Sequence, residues 1–186
     1  MTISDQAKKR VEEVLESSEV AVDATMGNGW DTLFLAEKVG REGQVFSFDV
    51  QEVALNLTRK KLRKVDLLEV CVLCQKGHEG MEEVVPKGVG AVMFNLGYLP
   101  YADQEIVTRP ETTLKALEAA VSLLRVGGVV TIVCYRGHPG GQEEARVVWG
   151  WVKGLGAEYD CDFPKDFPPG EQAFLLSLRR VNEGEV

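Results

Sequence analysis

Alternating strand and helix signals along this 186-residue chain predict an α/β fold: a mostly parallel, seven-stranded sheet with helices on both faces. Three observations carry that expectation. Runs such as GAVMFN at 90–95 and VVTIVCY at 129–135 are continuously apolar, as strands covered on both faces require. Between such runs lie segments with apolar residues at helical spacing. The last two strand signals have no helix between them, so the final strand is expected to run antiparallel in an edge hairpin.

The elements follow in order. Residues 3–15 place Ile3, Ala7, Val11, Val14 and Leu15 on one helical face, with Ser4 or Asp5 as N-cap. Strand one is expected over 20–24, a helix over 31–39 closed by Gly40, and strand two, QVFSFDV, over 44–50. A helix over 52–64 has Val53 and Leu57 facing inward. Strand three covers 70–75, and a short helix over 80–85 stops at Pro86. Strand four covers 90–95. A helix over 111–124 aligns Leu114, Leu117, Val121 and Leu124, and RVGG at 125–128 turns into strand five at 129–135. A helix over 142–155 carries Ala145, Val148, Trp149 and Val152, followed by strands at 158–163 and 173–180. With no repeat or linker, residues 1–186 read as one domain.

The formal charge of -8 argues against coating nucleic acid through bulk electrostatics, though a local basic patch remains compatible with RNA. Arg59, Lys60, Lys61, Arg63 and Lys64 read as a solvated helix face. Cys71 and Cys74 form C-x-x-C, a spacing used in redox and zinc motifs. They lie in VCVLCQ, which reads as a buried strand, and no second Cys/His pair has zinc-knuckle spacing. Structural thiols in a reducing cytosol, and no metal, are therefore expected. The polar N-terminus lacks signal-peptide character, and no apolar run approaches the roughly 20 residues needed to span a bilayer. A cytoplasmic protein independent of membranes is expected.

Ligands of open parallel sheets bind beyond the carboxyl ends of the strands, where strand order reverses. Those ends carry Asp23, Thr25, Gly27, Asn28 and Gly29; then Asp49 and Gln51; His78; Asn95, Leu96, Gly97, Tyr98 and Pro100; and Tyr135, Arg136, His138, Pro139 and Gly140. The Gly27-Asn28-Gly29 turn is not G-x-G-x-x-G, and no G-K-[ST] follows it, which disfavours dinucleotide and P-loop readings. An acid before the turn and Asp49 ending the next strand suit an adenosine-containing ligand without a pyrophosphate. A carboxylate at Asp49 can accept from both ribose hydroxyls.

This set resembles the Rossmann-like class I S-adenosylmethionine-dependent methyltransferases, across essentially the whole chain. Thr25 stands where many members have the first of three glycines. DATMGNG, FDVQ, NLGYLP and YRGHPGG together resemble the small bacterial family of putative rRNA methylases, whose members act as tRNA wobble-uridine methyltransferases. That family carries a His after the N-G pair; Trp30 stands there in this chain, so no role transfers to it. The resemblance implies S-adenosyl-L-methionine as cofactor, held by Asp23, Thr25, Gly27, Asn28, Gly29, Asp49, Gln51, His78 and Asn95. For His78 the alternative is a surface loop histidine. The implied acceptor is 5-aminomethyl(-2-thio)uridine in a tRNA anticodon loop.

Asn95 to Tyr98 resembles the N-P-P-Y loop of amine methyltransferases, with Leu96 and Gly97 replacing the prolines. Asn95 would orient the substrate amine, and Tyr98 or Tyr101 would stack on the target base. Tyr135, Arg136, His138 and Gly140 would complete the acceptor side, Arg136 as a phosphate contact and His138 as the base. For His138 the alternative is a turn-shaping residue. A second copy of the chain would extend a small RNA footprint. The competing functions are an rRNA or small-molecule amine methyltransferase, and a non-catalytic cofactor-binding module.

Overall fold

The computed structural model describes residues 1–99, 106–170 and 172–182. Seven strands form one sheet in the order β3-β2-β1-β4-β5-β7-β6. They are β1 (Val20–Asp23), β2 (Gln44–Asp49), β3 (Cys71–Gln75), β4 (Val89–Leu96), β5 (Leu124–Cys134), β6 (Tyr159–Asp162) and β7 (Phe174–Arg180). β1 to β5 are parallel to one another, and β7 runs antiparallel to both β5 and β6. The expected terminal hairpin is present. Strand order reverses between β1 and β4, which places the switch-point crevice beyond Asp23 and Leu96.

The helices are α1 (Ile3–Glu12), α2 (Trp30–Val39), α3 (Glu52–Lys64), α4 (Pro110–Leu123) and α5 (Gly141–Lys153). The period-2 alternation of each strand divides the core between two faces. Ala21, Val45, Ala91 and Val129 pack with Ala7, Val11, Leu35 and Leu62 of α1 to α3. Val22, Phe46, Val92 and Val130 pack with Leu117 and Ala120 of α4 and Ala145 and Val148 of α5.

Several local expectations are corrected. Thr2, not Ser4 or Asp5, caps α1: its hydroxyl accepts from the Asp5 amide at 3.1 Å, and Asp5 accepts in return from the Thr2 amide at 2.8 Å. Val53 and Leu57 of α3 point outward, 45% and 43% exposed; Ala54, Leu55, Thr58 and Leu62 fill the inner stripe. The short helix expected at 80–85 is a 3-10 segment, His78–Glu83. β3 is an edge strand with half-buried residues, because it has a neighbour on one side only. Its Cys71 and Cys74 are free, and burial pushes both thiols up, Cys71 to about 12. α4 passes directly into β5 at Leu124, and the expected turn at 125–128 is instead the irregular start of that strand.

Gly29 lies in left-handed backbone (φ 73°), and a Cβ there would meet Thr58 Oγ1 of α3 at 2.3 Å. Its bareness lets α2 start tight against α3. Gly29→Ala is expected to lower stability by about 3 kcal/mol, from strain plus overpacking. Gly140→Ala, also left-handed (φ 81°) but facing open space, should lose only about 1 kcal/mol. Denaturant melts of the two variants measure the difference.

Candidate functional site

A cavity of about 750 Å³ opens at the carboxyl ends of β1, β2, β4 and β5. Its construction starts at Asp23, which is fully buried. One carboxylate oxygen accepts from the Thr25 amide at 3.2 Å, the other from the Thr32 hydroxyl of α2 at 2.6 Å, and Thr32 also contacts Ser47 of β2. Burial, with Asp31's charge added, pushes the Asp23 carboxyl up to about 7. Asp23 is therefore corrected from cofactor contact to framework: it never reaches the cavity, and it locks the glycine turn to α2.

The turn reaches the cavity through Thr25, Met26, Gly27 and Asn28. Asp49 braces it from the next strand: one oxygen accepts from the Gly27 amide at 3.0 Å, the other from the Gln51 amide at 2.9 Å. Burial raises the Asp49 carboxyl, while those amides and His78 oppose the shift. Asp49 and Gln51 both line the cavity. Gly29 is corrected: it is outside the lining and serves the α2–α3 contact described above.

His78 lines the cavity yet is buried, so it is not a surface histidine. Its Nδ1 donates to the Ala24 carbonyl at 3.1 Å, and burial pushes its pKa down, keeping the ring neutral with Nε2 unprotonated.

Across the switch point, the Asn95 amide N–H donates to Thr25 Oγ1 at 2.7 Å, joining the ends of β1 and β4. The Asn95 side chain donates from Nδ2 to Asp31 Oδ2 at 2.6 Å, and Lys8 of α1 holds the other Asp31 oxygen at 3.1 Å. With Nδ2 engaged, Asn95 Oδ1 serves as acceptor. Asp31, on the cavity lining, and Lys8 behind it hold the Asn95 side chain, and the sequence reading missed both. Asp31 carries a faint signal, as an acid in the first turn of a helix that begins at the glycine loop; Lys8 carries none.

His138 is buried at the cavity wall, and Tyr98 meets its ring edge-on at 5.9 Å. His138 Nδ1 donates to the Pro139 carbonyl at 3.1 Å, leaving Nε2 buried and without a partner among the described residues. A side chain at Gly141 would reach that nitrogen at 2.8 Å, and one at Gly97 would approach it at 3.8 Å, so both bare positions keep it open. Glu144 of α5, also missed, is buried and accepts from Thr108 at 2.6 Å and Thr113 at 2.7 Å. The Thr108 amide in turn donates to the Gly97 carbonyl, and Tyr98 bridges to Val107. The sequence signal was Glu144 at i−4 from Val148 and i−8 from Val152, an acid inside an apolar stripe.

Tyr98 and Tyr135 line the cavity as half-open side chains. Tyr101 and Pro100 lie outside the described residues. Arg136 is corrected as a phosphate contact: its guanidinium is buried against Phe167 and Phe174 and donates to the carbonyls of Gln172, Pro168 and Pro169. Gly140 is corrected too; it is the left-handed N-cap of α5 and does not line the cavity. Among the described residues no cluster of His, Cys, Asp and Glu is arranged to hold a metal, and no helix is long and apolar enough to cross a membrane.

The sheet order, the switch-point cavity and the carboxylate-braced glycine turn define a class I S-adenosylmethionine-dependent methyltransferase. Residues 45–161 match the family model described as "Putative rRNA methylase", and the chain belongs to that family. A "putative rRNA-methylase" structure from Clostridium thermocellum is 37% identical with a TM-score of 0.92, covering 97% of this chain and 98% of that one. A "putative methyltransferase" from Streptococcus mutans, solved in complex with SAH, is 32% identical with a TM-score of 0.86, covering 97% and 99%. A curated Arabidopsis thaliana relative, "tRNA (mnm(5)s(2)U34)-methyltransferase, chloroplastic", is 39% identical over 157 residues, 77% of this chain. The chain spans 56% of that relative's length.

Asp23 gives the site a pH signature. With its carboxyl raised from 3.8 to about 7, the folded chain holds a proton that the unfolded chain releases. That contribution is full below pH 3.8 and is lost as pH rises through 7. Asp23→Asn is expected to flatten the decline in stability between those values relative to wild type, as read by denaturant titrations at stepped pH.

Proposed function

We propose that this enzyme N-methylates 5-aminomethyl(-2-thio)uridine at the tRNA wobble position, giving the 5-methylaminomethyl form. The observation that carries the reading is Asn95, which lines the cavity and whose Nδ2 is committed to Asp31, so that Oδ1 is left as an acceptor. An alkyl amine brings N–H donors, and an acceptor that takes one of them orients the nitrogen so that, once deprotonated, its lone pair is free to face the methyl donor. The unpartnered Nε2 of His138 takes the proton that a protonated amine must lose. Tyr98 and Tyr135 flank the acceptor base, and exposed Arg109, also on the cavity lining, takes the phosphate role that Arg136 cannot.

The cofactor fits the donor set. Asp49 and Gln51 hold the ribose, His78 lies at the adenine side, and Thr25, Gly27 and Asn28 pass the methionine portion. Gly27 is left-handed (φ 50°) and its missing side chain keeps the backbone close to the ligand. When bound, the cofactor supplies a methyl group already activated on a sulfonium, so the protein's part is positioning, proton removal and exclusion of water. The similarity to the Arabidopsis tRNA methyltransferase supports the acceptor. The family description names rRNA, so RNA classes must be compared directly.

Purified enzyme incubated with S-adenosylmethionine and tRNA bearing 5-aminomethyl-2-thiouridine is expected to convert that nucleoside, as read by nucleoside mass spectrometry. Methyl incorporation into rRNA with unchanged tRNA would overturn the reading. Asn95→Ala is expected to lower kcat about 10²-fold or more while leaving cofactor affinity within a few-fold by calorimetry.

A further inference from the structure

α3 has an outer crest unlike the rest of this acidic protein. Val53, Leu57, Lys60 and Lys64 recur at i, i+4, i+7 and i+11 and are all exposed. The crest extends about 16 Å at helical rise. Its first half is apolar and its second half basic, and the charge continues around the helix through Arg59, Lys61 and Arg63. A shallow groove here is lined by Asn56, Arg59, Lys60, Arg63 and Lys64, with no acid among them. Among the described residues none of these five cations is in an ion pair, although the chain carries 29 acids to 21 Lys and Arg.

This crest is joined to the cavity. Val50 and Gln51, immediately before α3, line the cavity, and so does Trp30. Trp30 is 62% exposed, and Lys61 Nζ sits 3.2 Å from its ring centroid. An exposed indole at a cavity mouth, capped by a cation, is a surface on which a base can stack. Burial and Lys64's charge push the Lys61 ammonium down, a cost that an incoming polyanion relieves.

We propose that α3 and Trp30 form the RNA-docking face, with the Val50–Leu57 stretch and Trp30 receiving unstacked bases beside the cavity and the Arg59–Lys64 cations tracking the backbone phosphates. The assignment rests on the RNA-methylating reading above. Charge complementarity favours RNA over a second copy of the chain: a two-fold interface on this crest would set like cations against one another.

The test is fluorescence anisotropy with a labelled tRNA anticodon stem-loop and intact protein. Lys60→Glu/Lys64→Glu is expected to weaken binding about tenfold or more near 0.1 M salt and to flatten the salt dependence. Calorimetric affinity for S-adenosylhomocysteine should be unchanged, showing that the variant is folded. Lys9→Glu/Lys165→Glu, with the same change in net charge away from α3, should bind RNA nearly as well as wild type. Equal weakening by both pairs would overturn the proposal, as would wild-type affinity in the α3 variant. So would light scattering showing a dimer dissociated by the α3 reversal with RNA affinity retained. Weakened binding by an enzyme that leaves aminomethyluridine unconverted would keep the docking face and remove only the proposed acceptor. Failure of wild type to bind the stem-loop would remove both.

Discussion

The site depends on a carboxylate that lies outside its cavity. Asp23 ends the central strand in a fully buried position, where an unpaired charge would be costly. Its two oxygens are occupied by the Thr25 amide and the Thr32 hydroxyl, so the glycine turn and α2 are tied to the same point. Once α2 is placed, Asp31 of its first turn lies within reach of Asn95 on β4. The turn, the helix and the acceptor-side asparagine thus share one anchor. The raised Asp23 pKa is the physical trace of that burial.

The interior of the site is built to keep polar groups in defined proton states. His78 donates through Nδ1 to a carbonyl and stays neutral. His138 Nδ1 donates to the Pro139 carbonyl, which leaves Nε2 without a partner among the described residues, in a pocket kept clear by Gly97 and Gly141. Glu144, pushed up by burial, holds two threonine hydroxyls rather than an opposite charge. The arrangement commits hydrogens in advance, so that few donors must reorient when a ligand arrives.

The sheet was legible because doubly covered strands leave continuous apolar runs that no other element at that length produces. The end of each strand located the cavity for the same reason. Tertiary choices were less legible. Apolar Val53 and Leu57 suggested an inward face for α3, but Thr58 makes the close approach to Gly29 at the start of α2, and the stripe that it shares with Ala54, Leu55 and Leu62 leaves Val53 and Leu57 outside. Arg136 looked available because it follows β5; its partners, Pro168, Pro169 and Gln172, lie more than 30 residues along the chain. Lys8 reaches Asp31 across 23 positions, and no local pattern announces that pairing. VCVLCQ read as buried because composition does not reveal which strand lies at an edge.

The line where β1 meets β4, extended past the end of β1 by the hydrogen bond from Asn95 N–H to Thr25 Oγ1, is the seam between two halves of the molecule. On one side stand β1, β2 and β3 with the residues proposed for the cofactor; on the other, β4 and β5 with those proposed for the acceptor. Glu144 fastens Thr108 and Thr113 from behind, so the start of α4 and the residues before it are held by groups outside β1, β2 and β3. Those contacts involve no residue of β1, β2 or β3. A lineage can therefore exchange one nucleophile for another while inheriting its alkyl donor intact, which makes the seam a place where new specificities can be grafted.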